Sequence, residues 1–323
     1  MKQSSDPVFP ILKPDLQVSF CHRLEEIKRR YLYESVRKAL MDLDIQQVDD
    51  ELAQFVAKEH LSKVAGFGLR GETVFAVPVI LGRNPFTLGY YRLLLGFSQK
   101  EFYNKGPFGA LKALEDSGEL PERTQCLIAP LCRSLVASAQ MLIDGIDILS
   151  IDVIRDLQLL TVGPQLRGGE NARLGQLASK EVYSLLRGFM AKYLKAETIR
   201  TLIIQNEAGR LVEVVFSNDP DVRIVERLQS RVRPLVSIEI KGGADASNIH
   251  NRLGEAEKSH QKARRDGFFE FWTIARVEVE ESVAHSESPT TSHFFHLDLI
   301  QNPATEQHRR FRELVCSILG IRS

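Results

Sequence analysis

Three ionisable side chains in the second half of the chain have the types and spacing that metal-assisted hydrolysis of a phosphodiester would need. Glu239 and Lys241 lie two residues apart in the run PLVSIEIKGG, and Asp221 precedes Glu239 by 18 residues. Mg²⁺ prefers oxygen ligands, and a bound divalent cation neutralises phosphate charge and promotes formation of hydroxide from water. The sequence therefore predicts Asp221, Glu239 and the Ile240 carbonyl as Mg²⁺ ligands, with Lys241 orienting the attacking water.

These acidic residues also have simpler interpretations. A Glu-x-Lys pair is common on the solvated face of a strand, where it has no catalytic role. Asp219 competes with Asp221 as the metal ligand, because both acids flank Pro220 in Asn-Asp-Pro-Asp. The sequence leaves open which of the two faces the metal.

A strand is the element that would position the Glu-x-Lys pair. Alternation along PLVSIEIKGG places its aliphatic residues on one face and Glu239 with Lys241 on the other. If the run that begins at Asp221 pairs with this strand, Asp221 reaches Glu239. The following pair, Gly242-Gly243, allows the backbone to turn or to approach another segment closely.

The second half of the sequence mixes helical and strand patterns in the order typical of an α/β sandwich around a mixed sheet. Both β-prone runs of residues 201–216 flank a Glu-Ala-Gly turn, which predicts a hairpin. The predicted elements are a helix over residues 174–194, the hairpin, strands in PDVRIVERL and PLVSIEIKGG, a helix from about Ser247 to Arg265 and a strand over residues 268–279.

The first half is predicted to be mainly helical. A small hairpin over residues 66–81 after several helices favours a winged-helix-like element. Glycine, proline and asparagine cluster at residues 163–175, where the helical periodicity stops. We therefore predict an α+β protein of two domains, a DNA-recognition domain over residues 1–165 and a catalytic domain over residues 166–323. The predicted helical segments of the first half are residues 23–43, 48–64, 88–104 and 133–159.

Charge and cysteine content limit the class of protein. The composition is 43% hydrophobic and 26% charged with a formal net charge of zero, so a DNA-binding surface must concentrate its basic groups locally. The four cysteines stand among apolar neighbours without a CxxC pair, which favours reduced core thiols and a cytoplasmic protein. Candidate DNA contacts are Arg70, Arg83, Arg92 and Lys100 in the first half and Lys258, Lys262 and Arg265 on the helix after Lys241.

The residues around the charged pair also resemble a known superfamily. Pro220-Asp221 followed by Glu239-Ile240-Lys241 is similar to the signature of PD-(D/E)XK nucleases, and the run IEIKGGADASNIHNRLGEAEKSHQKA resembles type II restriction endonucleases. The total length and the helical first half followed by a nuclease domain most resemble SdaI-type enzymes. The segments LRGETVFAVP and LGYYRLLLGFSQKEFY also resemble XcyI-type enzymes.

This resemblance implies that Asp221 and Glu239 bind Mg²⁺, that Lys241 completes the site, and that the enzyme cuts double-stranded DNA at a palindrome. A symmetric cut implies two protomers acting together as a homodimer, formed either before or on DNA. Many superfamily members carry a further acid on the first helix of the core, and Glu181 is the candidate here. The alternatives are a structure-specific or repair nuclease with the same site and a non-catalytic DNA-binding regulator.

Overall fold

The computed structural model describes residues 14–243 and 248–322. The chain divides into two units, Met1–Gly168 and Gly169–Ser323, each with its own hydrophobic core. The start of the predicted helix at Ser247 lies outside the described residues. No helix in the described ranges is long and apolar enough to cross a membrane.

The first unit consists of short helices, as the apolar periodicity of its sequence predicted. Two of them begin with side chains that cap the first turn: Asp44 accepts the N–H of Gln46, and Ser98 forms a capping box with Glu101. The helices are α1 Asp15–Tyr31, α2 Tyr33–Met41, α3 Ile45–Phe55, α4 Lys58–Gly66, α5 Pro78–Arg83, α6 Thr87–Leu94, α7 Gln99–Tyr103, α8 Lys112–Asp116, α9 Glu122–Gln125 and α10 Ile128–Asp144, with 3₁₀ turns at Gly71–Thr73 and Gly106–Leu111.

The predicted hairpin over residues 66–81 is wrong, because residues 14–193 contain no strand. The 3₁₀ turn and α5 occupy most of this segment. Side chains from neighbouring helices satisfy backbone groups that a hairpin would have paired: the hydroxyls of Tyr90 and Tyr91 donate to the carbonyls of Thr73 and Glu72. The winged-helix-like element therefore lacks its wing.

The predicted break at residues 163–175 is also wrong. One helix, α11, runs from Ile151 to Met190 with Pro164 inside it. A proline or glycine in a helix costs stability, but burial of an apolar face can offset that cost. Buried residues recur every four positions along most of α11, on both sides of the expected break; they include Ile154, Val162, Leu166, Ala178, Val182, Leu186 and Met190.

The described part of the second unit contains a seven-stranded mixed sheet whose strands lie side by side in chain order. Neighbouring strands from β1 to β5 are antiparallel, whereas β5–β6 and β6–β7 are parallel pairs. Strands predicted from the sequence account for most of this sheet. The bounds are β1 Leu194–Glu197, β2 Thr201–Gln205, β3 Leu211–Phe216, β4 Val222–Arg227, β5 Val232–Lys241, β6 Glu270–Ala275 and β7 His293–His296.

Helices pack on both faces of this sheet. The C-terminal part of α11 and α15 share a core with the aliphatic residues of β5 and with Trp272 of β6. On the other face, Ala263 of α12 packs against Phe271, the neighbour of Trp272. This arrangement confirms the predicted α/β sandwich around a mixed sheet. The remaining helices are α12 Ile249–Arg265, α13 Glu281–Glu287, α14 Leu297–Gln301 and α15 Glu306–Leu319, with a 3₁₀ turn at Ala191–Tyr193.

The four cysteines are free thiols, but only two of them belong to a core. Cys132 and Cys316 are buried, whereas Cys21 and Cys126 are exposed. Cys21 lies on α1, a helix without a fully buried residue. The prediction of core thiols is therefore wrong for Cys21 and Cys126.

Candidate active site

Glu239 and Lys241 lie together at the C-terminal end of β5. The Lys241 Nζ atom is 2.8 Å from Oε2 of Glu239, and both side chains are largely buried, with Glu239 only 4% exposed as a residue. The intervening Ile240 belongs to the hydrophobic core with Ile238. Strand alternation thus directs the charged pair to one face of the sheet while the aliphatic residues anchor the other face.

Asp221 stands directly before β4 and faces the same end of β5. In the antiparallel register Val222 pairs with Ile238, so continuing the register by one residue brings Asp221 opposite Glu239. The Oδ2 atom of Asp221 accepts a hydrogen bond of 2.7 Å from the backbone N–H of Ile240. Burial and the negative charge of Glu239 raise the pKa of Asp221 to about 6. The structure therefore brings together the three residues predicted from the sequence.

Asp219, the rival of Asp221, turns toward α12. Its Oδ2 atom lies 2.6 Å from Nζ of Lys262, and its Oδ1 atom accepts a hydrogen bond of 2.8 Å from the Ser259 hydroxyl. These two hydrogen bonds, the one from Lys262 first, lower the pKa of Asp219. Asp219 is thus already paired with a lysine, whereas Asp221 is partly buried beside a second carboxylate, Glu239.

Ser259 is a site residue that the sequence did not reveal. Besides its contact with Asp219, its hydroxyl lies 2.6 Å from Oε1 of Glu239. A serine hydroxyl has one proton, so it can donate to only one of these two carboxylates at a time. When that proton is donated to Glu239, the carboxylate is held at both oxygens, by Ser259 at Oε1 and by Lys241 at Oε2.

A buried polar network lies next to Ser259. His260 is fully buried, and its Nε2 atom lies 3.0 Å from Oγ1 of Thr273, the residue that pairs with Glu239 in the parallel register of β5 and β6. Burial lowers the pKa of His260 to about 4, so its imidazole is neutral near pH 7. Hydroxyl contacts continue this network from Thr273 to Thr291. The network fixes α12 against β6 at the position of Ser259.

Glycine at position 242 permits the tight packing at the end of β5. A Cβ atom on Gly242 would lie 2.4 Å from Cβ of Ala178 and 2.8 Å from the carbonyl oxygen of Leu174, both on α11. No real side chain fits at such distances, since backbone is among the neighbours. The sequence predicted a close approach of the backbone to another segment at Gly242-Gly243, and Gly242 makes such an approach to α11.

Glu181, the candidate additional acid, is occupied by other partners. Its Oε2 atom accepts hydrogen bonds from Arg276 at 2.5 Å and from Gln301 at 3.0 Å. The backbone N–H of Arg276 donates to the Lys241 carbonyl, so this cluster adjoins the end of β5. These contacts favour a structural role for Glu181.

The residues predicted to contact DNA differ in their exposure and in their ion pairs. Arg92 is wrong as a DNA contact, because it is 2% exposed and forms a bidentate ion pair with Glu115. Arg70 and Arg83 are about half exposed and are paired with acidic residues of the same unit. On α12, Lys262 contacts Asp219. The remaining candidates, Lys100, Lys258 and Arg265, are exposed.

The donor set of this site fits a small divalent cation. Within the described ranges, no three acidic, histidine or cysteine side chains form a group that could hold a metal by themselves. Mg²⁺ is usually held by one or two carboxylates, with waters and substrate phosphates completing its shell. Asp221 and Glu239 meet that requirement, and a bound cation would offset both the burial of Asp221 and the repulsion from Glu239 that raise its pKa.

Comparison with known proteins gives one consistent result. A family model described as XcyI restriction endonuclease matches residues 21–322. The chain is 40% identical over 316 residues to the type II restriction enzyme XcyI of Xanthomonas campestris pv. cyanopsidis, with 95% of each chain covered. It is 39% identical over 321 residues to the type II restriction enzyme Cfr9I of Citrobacter freundii, with 97% of each chain covered. These similarities support the resemblance to XcyI-type enzymes and do not bear on SdaI-type enzymes.

Proposed function

The chain belongs to the XcyI restriction endonuclease family and is a type II site-specific deoxyribonuclease; on this basis we propose that Asp221, Glu239 and Lys241 form its PD-(D/E)XK centre. The observation that carries this proposal is the convergence of the three side chains at one end of β4 and β5. Residues so placed on two paired strands keep their mutual geometry, as catalysis of phosphodiester hydrolysis requires.

Type II restriction endonucleases generally need a divalent metal, and we propose Mg²⁺ held by Asp221, Glu239 and the Ile240 carbonyl. When bound, Mg²⁺ would neutralise phosphate charge and lower the pKa of a water molecule at this point. The hydrogen bond between Asp221 and the Ile240 N–H fixes the Asp221 carboxylate beside β5. The contacts of Ser259 and Lys241 fix the Glu239 carboxylate.

Lys241 acts on the substrate side of this centre. Its side chain is 16% exposed, so the ammonium group can contact a phosphate or a water molecule while it stays paired with Glu239. There it orients the attacking water by donating a hydrogen bond and offsets the charge that develops on the phosphate oxygens. Glu239 keeps this ammonium group in place, because the side chains lie on the same face of one strand.

The number of protomers that act together follows from the two strands of the DNA substrate. Each protomer carries one such centre, and one centre cuts one strand, so a double-strand cut at a palindrome requires two protomers related by twofold symmetry. We propose a homodimer on DNA in which residues 1–165 read the sequence and residues 166–323 cut the strand. A restriction enzyme acts on DNA inside the cell, so we place the protein in the cytoplasm.

Digestion of a long DNA of mixed sequence with Mg²⁺ tests this proposal. Discrete and reproducible fragments are the expected result. A smear would instead indicate the structure-specific or repair nuclease. Intact DNA that is retarded in a gel would indicate a non-catalytic regulator, an alternative that membership of a restriction enzyme family already disfavours.

A further inference from the structure

A second feature of the Gly169–Ser323 unit is an open groove of about 550 Å³ beside the β3–β4 loop. Its walls come from one face of α11, from the β1–β2 connection and from the first residues of the β3–β4 loop. We call it the basic groove, defined by Lys180, Tyr183, Ser184, Arg200, Phe216 and Asn218.

Contacts between the three walls hold the basic groove in shape. The Tyr183 hydroxyl donates a hydrogen bond of 2.7 Å to the Thr198 carbonyl, which ties α11 to the β1–β2 connection. The Phe216 N–H donates to the Arg200 carbonyl at 2.7 Å, and the rings of Tyr183 and Phe216 lie 5.2 Å apart. The groove is therefore formed before any ligand arrives, which reduces the entropic cost of binding.

The charge of the basic groove is uncompensated. Its lining contains Lys180 and Arg200 and no acidic residue. Both cations are exposed, and within the described part of the chain neither forms an ion pair. One helical turn beyond Ser184, by contrast, Arg187 is neutralised by both oxygens of Glu197. Two unpaired cations in one polar groove attract an anionic ligand.

The loop that carries Asp221 also forms part of the basic groove. Ser217 and Asn218 line the groove, and Asp219, Pro220 and Asp221 follow directly in the chain. This short loop is held by two hydrogen bonds: the Ser217 hydroxyl donates to the Pro220 carbonyl at 2.6 Å, and the Ser217 N–H donates to the Asp221 carbonyl at 3.0 Å. An anion in the groove would therefore lie next to the loop that carries Asp221.

We propose that the basic groove holds backbone phosphates of the DNA strand next to the scissile phosphate, with Lys180 and Arg200 as the charged contacts. The amide of Asn218 and the hydroxyl of Ser184 are additional donors, of the types that commonly contact phosphate oxygens. The inference rests on the proposed function, since it takes DNA cut beside Asp221 as the ligand. The groove is open, and its α11 wall is formed by residues from Gln176 to Ser184.

Lys180 and Arg200 are binding residues in this proposal, because they contact the DNA backbone directly. Removal of either should weaken DNA binding about equally for cognate and unrelated sequences, because phosphates carry no sequence information. Each lost phosphate contact should also lower the slope of log binding constant against log salt by about 0.9. The rate of the cutting step at saturating enzyme should stay unchanged, since neither side chain touches the three central residues.

The test compares Lys180→Ala, Arg200→Ala and the double variant with Arg231→Ala. Arg231 is an exposed cation in the β4–β5 connection, at the end of these strands opposite to Asp221 and Lys241. DNA binding is measured by gel retardation with Ca²⁺ between about 50 and 200 mM salt, the range over which phosphate contacts change affinity strongly. Cleavage is measured in single turnovers with Mg²⁺ at saturating enzyme, and thermal melting confirms that each variant is folded.

The expected result is about tenfold weaker binding for each single variant, a salt slope lower by nearly 2 in the double variant and an unchanged single-turnover rate. Binding and slope equal to those of Arg231→Ala would overturn the proposal. A loss confined to cognate DNA would also overturn it, because base contacts would then explain the effect. Asp221→Ala distinguishes the two proposals: if that variant still cuts, the assigned centre fails, whereas the binding data for Lys180 and Arg200 continue to test the groove.

Discussion

The Asp221 carboxylate accepts a hydrogen bond from the backbone N–H of Ile240, the residue between Glu239 and Lys241. One carboxylate is thereby joined to the strand that carries the other two proposed catalytic groups. The position of the Asp221 carboxylate does not depend on a flexible donor, because the donor belongs to the main chain of β5, a strand of ten residues. Substitutions in this group should therefore change chemistry more than structure.

Alanine variants of the three residues should lose nearly all cleavage. We expect Asp221→Ala, Glu239→Ala and Lys241→Ala each to reduce the single-turnover rate by about 10³-fold or more, because their interactions strengthen in the transition state. Asp219→Ala is the matched control, since Asp219 has the same charge but is paired with Lys262. If Asp221→Ala is active and Asp219→Ala is inactive, Asp219 is the metal ligand in place of Asp221. Normal cleavage by Lys241→Ala would contradict the motif assignment.

Asp221 should destabilise the metal-free protein at neutral pH. Its pKa is about 6 in the folded chain and lower in the unfolded chain, so its ionisation favours unfolding as the pH rises through this interval. Asp221→Asn keeps an oxygen that accepts from Ile240 and removes the charge. In EDTA we expect this variant to gain up to about 3 kcal/mol in unfolding free energy at pH 8, with the gain vanishing below about pH 4. Urea unfolding at both pH values measures the difference, and an equal gain in acid would exclude titration of Asp221 as its cause.

Ser259 should matter for activity although it carries no charge. Its hydroxyl supports Glu239, and loss of a supporting hydrogen bond to a metal ligand typically costs 10- to 100-fold in metal affinity or rate. Ser259→Ala should therefore need a higher Mg²⁺ concentration for half-maximal cleavage and should cut more slowly. Ser286→Ala, an exposed serine on α13 whose hydroxyl contacts only the local backbone carbonyl of Val283, serves as the control. Identical Mg²⁺ titrations for the two variants would show that Ser259 has no part in the site.

Removal of the metal should separate binding from cutting. EDTA is expected to abolish cleavage but to leave part of the DNA binding, because lysine and arginine contacts to phosphates need no metal. Gel retardation and digestion on the same DNA measure both properties. Full cleavage in the chelator would contradict the metal assignment. Ca²⁺ is expected to support binding without efficient turnover, because it is larger than Mg²⁺ and tolerates looser coordination.

Stability of the first unit should depend on a buried ion pair. Arg92 and Glu115 are almost inaccessible to solvent. Burial opposes ionisation of Glu115, but the hydrogen bonds and charge of Arg92, together with hydrogen bonds from Tyr103 and Gln99, outweigh burial and lower the pKa of Glu115. Glu115→Gln leaves the Arg92 charge unpaired and should cost about 3 kcal/mol or more. Exposed Glu119→Gln is the control, with an expected change below about 0.5 kcal/mol. The loss of unfolding free energy in Glu115→Gln should be complete above the ordinary glutamate pKa. It should shrink in acid, because the wild-type carboxylate then takes up its proton. A loss that does not change with pH would instead indicate a packing effect.

Sequence patterns correctly predicted that Asp221, Glu239 and Lys241 lie close together, because residue type and strand periodicity coincide there. Alternation in PLVSIEIKGG gave the face of Glu239 and Lys241, and the spacing of Asp221 matched an antiparallel pair. The sequence does not indicate Ser259, because a serine within a charged helix has the pattern of an ordinary solvated residue. Its role depends on how α12 packs on the sheet, which only the folded chain determines.

The errors have physical causes as well. At residues 163–175 glycine and proline favour a break, but packing of apolar positions spaced four residues apart overrides that local propensity. For Arg92, the partner that neutralises it lies 23 residues further along the chain, beyond what local patterns reveal. The hairpin predicted over residues 66–81 is absent for a similar reason, because side chains from a helix further along the chain bond to backbone groups of this segment.

The order of the strands has a consequence for folding during synthesis. Each strand of the sheet neighbours the one that precedes it in the chain, so β1 to β5 can pair as successive hairpins as they leave the ribosome. Short-range pairings of this kind close small loops and form quickly. β6 and β7 can join only after α12 and α13 have crossed over, since parallel pairs need a long connection. We therefore expect Asp221 and Glu239 to meet early, while Ser259 joins them only when α12 docks.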